Sequence, residues 1–421
     1  RMLPPKDPHE EKKHLQEYES MMKQAKKLEA KKQRESNKKR EEKDKKASYA
    51  IYTWENDIIP HWKSRIKDKR TMVLWDQGIP PRCRRKVWCL KIGNPLNITK
   101  NTFSECTRRV PQAVRQTSKS ANTTTTTTNG DSHGAPMPIR KEDRHGHHAE
   151  DDDEDDEDGH KETQDPINFL NKAIDEDILR TLPSLCVFQV NGPLFMSLRK
   201  VLHAYVGYRP NMTYSRGASF LAGVLLLNMG AQDTFSALIN MISASQVLSA
   251  LYNADEKKIQ GFFKVFNVIF AENLPKLYLH FKNLTLTPDN YLPDWFMTVF
   301  ASIIPLELSS RLWDIYLLHG DIILFRTGLV VLKYLEPLLW GGGFSETVKI
   351  LNRGFVGEHR GEEVKAALAV SGHITEGDED PFFDEILGRK GVHLSETRFN
   401  ELLGAHMPRS ATANTNATHS T

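Results

Sequence analysis

From Asp165 to about Gly354, leucine, isoleucine, valine and phenylalanine recur three and four residues apart. Phe262, Phe263, Phe266, Ile269 and Phe270 form one such stripe, and Leu312, Ile315, Tyr316 and Leu318 another. That period puts each stripe on one face of an α-helix, and no segment of useful length alternates as a half-buried strand would. The stripes are interrupted at Pro183, Gly192-Pro193, Pro210, Pro288-Asp289, Pro305 and Gly320-Asp321, several of which can open a helix at its first turn. Successive helices with one apolar face each are covered by packing on one another, so the chain is expected to form an all-α, multi-helix domain of antiparallel and crossed helices.

Outside that stretch the pattern changes. Ile51, Trp54, Ile58, Ile59 and Trp62 also recur at helical spacing and need an apolar cover, which places the start of the folded region near residue 50. Before it, Glu, Lys, Arg, Gln and Ala predominate, with opposite charges four apart at Glu19 and Lys23 and at Glu35 and Lys39. These are good helix formers with supporting ion pairs. After residue 109 the chain runs through Thr123–Thr128 to nine consecutive acidic residues, Glu150–Asp158, from which no core can form. The predicted organisation is therefore a charged helical or coiled segment over 1–49 and an all-α domain over 50–354. That domain carries a disordered insertion over 110–164. A C-terminal helical extension follows over 355–407, with helices at 361–370 and around 395–404, and then a disordered tail over 408–421.

Charge excludes some classes of partner. The 57 Lys and Arg residues nearly balance 54 Asp and Glu, which argues against a nucleic-acid binder. The first 50 residues hold 16 basic and 10 acidic side chains, a local excess of six. A solvated helix is the simplest reading of that segment; a short coiled coil or a peripheral contact with an anionic membrane are the alternatives. The longest apolar runs, Ala218–Met229 and Ile322–Leu339, are too short to span a bilayer or are broken by Arg326 and Lys333. Four cysteines without a C-x-x-C pair, and no signal-like stretch, point to a cytoplasmic protein. His145, His147, His148 and His160 flank the acidic run, but a polar loop lacks the rigid frame that fixes metal coordination.

No phosphate-binding loop, nucleophile elbow or zincin helix is present. Four ionisable side chains, Arg84, Asp177, Arg180 and Arg216, remain inside apolar helical context, where a charge calls for a partner or a chemical role. Three segments carry them, in order. Gly78-Ile-Pro-Pro-Arg-Cys-Arg-Arg-Lys-Val-Trp88 holds an R-x-x-x-W on Arg84 and Trp88. Ile174-Asp-Glu-Asp-Ile-Leu-Arg-Thr181 holds an I-x-x-D-x-x-R on Ile174, Asp177 and Arg180. The third is Tyr214-Ser-Arg-Gly217.

This ordered set resembles the three motifs of the TBC domain, a family of GTPase-activating proteins for Rab GTPases, and Arg311-Leu-Trp-Asp-Ile-Tyr316 with Leu324-Phe-Arg-Thr327 resembles its later helical signature. The resemblance implies that Arg180 is an arginine finger supplied in trans, oriented by a charged cluster with Asp177 and Arg84. Trp88, Ile174, Tyr214 and Gly217 would be supporting residues. It implies GTP and Mg²⁺ on the partner, no cofactor of the chain's own, and a role in vesicle traffic, with the protein cytoplasmic or peripheral on endomembranes. One position departs from the pattern: the family's Y-x-Q is here Tyr214-Ser-Arg216. A glutamine amide can both accept from and donate to the attacking water, whereas a guanidinium only donates. Arg216 therefore leaves three outcomes open: the GTPase's own glutamine orients the water while Arg180 supplies charge, Arg216 adds a second positive contact, or the domain is weak or inactive and acts as a Rab-binding adaptor.

Overall fold

Helix α1 runs without a break from Pro8 to Thr53, and Lys31 and Glu35 pair on its surface at 4.0 Å. It passes into a π-helical turn over Trp54–Ile58, so the helix continues through the predicted boundary at residue 50. In this computed structural model the described residues are 8–109, 166–210, 212, 214–354 and 380–408, and all regular structure among them is helical. The predicted insertion, the predicted helix at 361–370 and the polar tail from 409 onward lie outside the described residues.

The chain divides into two compact units, Arg1–Lys91 and Ile92–Thr421. In the first, α1 is followed by α2 (Trp62–Arg65), α3 (Lys69–Asp76) and α4 (Pro81–Ile92). Its apolar centre is aromatic: Trp75 meets Trp54 edge-on at 5.5 Å and Trp62 at 5.8 Å between ring centroids. The Asp68 carboxylate caps α3 by accepting from the Arg70 N–H, which satisfies one of the free donors at a helix start.

The second unit begins with a helix at 100–109, α5. The segment leading into it is tied down by Asn240, whose side chain accepts from the Leu96 N–H at 3.1 Å and donates to Asn94 Oδ1 at 3.0 Å. There follow α6 (Pro166–Arg180), α7 (Phe195–Tyr208), α8 (Ala218–Leu226), α9 (Ala231–Ala244), α10 (Gln246–Tyr252) and α11 (Glu256–Asn273). The order continues with α12 (Pro275–Asn283), α13 (Leu292–Met297), α14 (Leu306–His319), α15 (Ile322–Leu339) and α16 (Phe344–Arg353). The expected stripe on α11 is the centre of the core: Phe266 packs against Phe270, Tyr291, Phe296 and Phe325 at about the distance aromatic pairs prefer. Gly328 of α15 permits this, because a Cβ there would lie 2.7 Å from Phe266 Cε2. Asp321 joins two helices, accepting from Ser245 Oγ at 2.6 Å and from the Val247 N–H at 3.2 Å at the start of α10.

Two C-terminal helices, α17 (Asp380–Ile386) and α18 (Glu396–His406), pack back onto α15 and α11. Ser395 caps α18 through Arg398 N–H, which accounts for the helix expected around 395–404. The two charges that interrupt the apolar run of α15 are used here. Arg326 donates to the Leu394 carbonyl through Nε at 3.0 Å and Nη2 at 2.7 Å, and Lys333 binds both carboxylate oxygens of Glu385 at 2.9 and 2.7 Å.

Candidate functional site

Helix α6 buries Leu170, Ile174 and Ile178, one apolar residue per turn, and Asp177 goes inside with them, only 5% exposed. Arg180, one turn further on, is the last residue of the helix and is exposed. Among the described residues its side chain makes no ion pair or hydrogen bond, so Asp177 and Arg180 do not form a surface i,i+3 pair. The chain turns away immediately. Thr181 Oγ1 donates back to the Asp177 carbonyl at 2.8 Å, and Leu182 takes a left-handed conformation at φ 45°. A short 3-10 turn over Pro183–Leu185 leads to Cys186 at φ 56°. Two non-glycine residues in that sparsely populated region each cost roughly 1–3 kcal/mol. The following loop is closed by Leu194 N–H to Val187 carbonyl at 3.0 Å and Gly192 N–H to Gln189 carbonyl at 2.7 Å. Gly192 is required there, because a Cβ would sit 2.3 Å from the Val187 oxygen. Gln189, the nearest glutamine to the finger in sequence, reaches back to the Leu179 carbonyl at 3.4 Å and serves as a loop tether.

The third motif lies just before α8. Gly217 packs so closely on the end of α13 that a Cβ would meet Met297 Cβ at 2.8 Å and the Tyr252 hydroxyl at 3.1 Å, and that hydroxyl donates to the Met297 carbonyl at 2.9 Å. Tyr214 and Arg216 are thereby brought to Asp177. Burial pushes the Asp177 carboxyl up to about 6, opposed by the Tyr214 hydroxyl, Arg216 and Arg180, in that order. Burial, and then Asp177 itself, hold the Tyr214 phenol well above its ordinary range. Asp177 Oδ2 and Tyr214 OH are both buried, and neither reaches a partner with good hydrogen-bond geometry, so the two groups feel each other electrostatically across a bond that is not closed.

Arg216 is exposed. A second carboxyl, Asp294 in the first turn of α13, is pushed up by the desolvation of its surroundings and drawn back by Arg216, although the residue itself reaches solvent. Asp294 was not among the residues singled out from the sequence: an acid in the first turn of a helix is ordinary, and only the approach of the 214–217 segment to α13 gives it a second meaning. The first-motif residues belong to the other unit, on α4, where Trp88 is fully buried and Arg84 half-buried. Among the described residues no group of His, Cys, Asp and Glu could hold a metal ion.

The raised Asp177 carboxyl makes a testable demand. Its folded value lies above its unfolded value, so the stability it permits is full below the ordinary carboxylate range and falls as the pH rises through about 6. Asparagine, always neutral, escapes that loss. Asp177→Asn should therefore be more stable than wild type at pH 7.5, by up to about 3 kcal/mol, with the gap closing by about pH 4. Thermal unfolding at the two pH values checks this, and a gap that does not depend on pH would contradict it.

Comparison with known proteins bears on what this arrangement does. Residues 81–340 match the sequence profile of the Rab-GTPase-TBC domain. The chain is 36% identical over 354 residues to TBC1 domain family member 14 of Homo sapiens, an alignment covering 83% of this chain and 46% of that protein. It thus spans about half the length of that relative. It is 33% identical over 357 residues to Drainin of Dictyostelium discoideum, covering 83% of this chain and 81% of that one. Among solved structures, a Chlamydomonas flagellar RabGAP TBC domain is similar at a TM-score of 0.49 and 17% identity, covering 83% of this chain and 96% of that one.

Proposed function

The chain belongs to the family of Rab-GTPase-TBC domains, and from that premise we propose that it accelerates GTP hydrolysis on a Rab-family GTPase by lending the Arg180 guanidinium to the partner's nucleotide site. One observation carries the reading: Arg180 ends α6 exposed and unengaged among the described residues, on a turn that a left-handed Leu182 and a closed loop hold in one shape. Hydrolysis builds charge on the transferred phosphoryl oxygens, and a pre-positioned cation from a second molecule stabilises that charge at the moment it appears. GTP and Mg²⁺ come with the GTPase, and the chain contributes only its own side chains. Asp177, one turn back, and Arg216 beside it set the local field. Ile174, Tyr214 and Gly217 support the site from the same unit. The resulting activity would regulate vesicle traffic, with the protein cytoplasmic or peripheral on endomembranes. Single-turnover GTP hydrolysis by a panel of purified Rabs tests it: at least one member should be accelerated, and a panel unaffected throughout would defeat the proposal.

Arg216 favours a second reading, a Rab-binding adaptor that stimulates hydrolysis poorly. Its guanidinium lies under the influence of Asp177 and Asp294 and offers no acceptor to an attacking water. Arg216→Gln separates the two. If the substitution switches on hydrolysis in a protein that already binds a Rab without stimulating it, the adaptor reading holds; if wild type is already active, it falls.

A further inference from the structure

Two consecutive heptads on α1 form a surface that the described residues leave uncovered. Leu15, Tyr18, Met21, Met22 and Leu28 are exposed by 60, 58, 64, 53 and 59% of their surface. On a regular helix these five and Ala25 fall within an arc about 140° wide that contains no charged residue between positions 15 and 28. This is the only part of the first 48 residues with such a stripe. From Glu29 to Lys46 the same helix carries no large apolar residue, so helix formation by itself does not call for one here.

The two heptads carry charges of opposite sign, and along one edge of the stripe these are Glu19 and Lys26, while Lys23 and Lys27 lie towards the far face of the helix. Residues 15–21, Leu-Gln-Glu-Tyr-Glu-Ser-Met, hold Glu17 and Glu19 and no base. Residues 22–28, Met-Lys-Gln-Ala-Lys-Lys-Leu, hold Lys23, Lys26 and Lys27 and no acid. The apolar positions are symmetric about the junction: Leu15 mirrors Leu28, Tyr18 mirrors Ala25, and Met21 mirrors Met22. We propose that this segment pairs antiparallel with the same segment of a second copy of the chain. In that orientation the acidic heptad of each copy faces the basic heptad of the other, with Glu19 on the same edge as Lys26 of the second copy, while the apolar stripe closes between them. A parallel pair would lose the two Glu19–Lys26 pairings and set like-charged heptads side by side, and is disfavoured by the same charges. An anionic membrane would meet both the acidic and the basic heptad, which is why the symmetric partner fits better. Two heptads bury little area, so association is weak and concentration-dependent.

Sedimentation velocity of the full chain over a range of concentrations tests this. Wild type should shift toward dimer as concentration rises, and Leu15→Lys with Met22→Lys should remain monomeric with unchanged helix content by circular dichroism. Glu19→Lys should weaken the dimer by about fivefold, and adding Lys26→Glu should restore it. A wild-type chain that stays monomeric at every concentration overturns the proposal, as does a charge reversal that leaves association unchanged, since a parallel pair would not feel it. Binding to anionic vesicles that depends on Leu15 and Met22 in a chain that does not self-associate would assign the stripe to lipid instead.

Discussion

Arg180→Ala should lower the Rab GTPase rate measured in the presence of this protein by about 10³-fold or more, while leaving Rab binding within a few-fold of wild type. Removal of a cation that acts mainly on developing charge takes away an interaction made in the transition state and not in the ground-state complex. The loss therefore belongs in the chemical step and not in affinity. The structure makes this a clean substitution. The Arg180 side chain supports nothing among the described residues, and the turn behind it is held by Thr181 Oγ1 on the Asp177 carbonyl and by the loop tethered through Gln189. The melting temperature should stay put. Single-turnover hydrolysis with excess protein, set beside a binding isotherm for the GTP-loaded Rab, separates the two effects. A fall in binding equal to the fall in rate would mean that Arg180 holds the partner and does no more.

Lys333→Met should destabilise the chain by about 3 kcal/mol, although residue 333 lies far along the sequence from the three motifs that carry Arg84, Arg180 and Arg216. Lys333 places its ammonium between both oxygens of Glu385, whose side chain is only 7% exposed, and removing the cation strands a buried carboxylate. Gly391 lies against the pair at φ 72°, where a Cβ would approach Glu385 Oε2 to 2.5 Å. A second substitution, Glu385→Leu, made together with Lys333→Met should recover most of the loss, because the penalty comes from the unpaired charge and not from the shape of the site. Denaturant unfolding of the two single variants and the double variant measures this. Additive losses would show that the pair is not coupled. The contact matters because α17 lies beyond residues 81–340, the span that matches the family, and this pair ties it to α15.

Lys333 also shows what was and was not legible. In the sequence it and Arg326 are charges that break an apolar run, enough to argue against a membrane-spanning helix; among the described residues no single helix is long and apolar enough to cross one. Their partners, Glu385 and the Leu394 carbonyl, lie more than fifty residues away and could not be paired from spacing. The helical stripes were readable because burial repeats every turn: Phe266 and its neighbours are the core in the structure as in the pattern. The motif residues Asp177 and Arg180 could be placed on one helix for the same reason. What the spacing could not show is that one side chain goes inside and the other stays in solvent, because that depends on where α6 stops. Pro183 announces that the helix must stop nearby, but the left-handed Leu182 that turns the chain away behind Arg180 carries no sequence signal of its own, since leucine rarely adopts that conformation. Asp294 escaped notice for a similar reason: its proximity to Arg216 is created by the packing of Gly217 on Met297, two residues that no local rule connects.

The claim that Arg180 acts on another molecule's nucleotide is tested most directly by trapping. A Rab loaded with GDP and fluoroaluminate, which mimics the planar phosphoryl group in transfer, should form a stable complex with the wild-type chain and none with Arg180→Ala, while both still bind the same Rab loaded with a non-hydrolysable GTP analogue. A fluoroaluminate complex that forms equally well with Arg180→Ala would contradict the assignment of the finger to this residue.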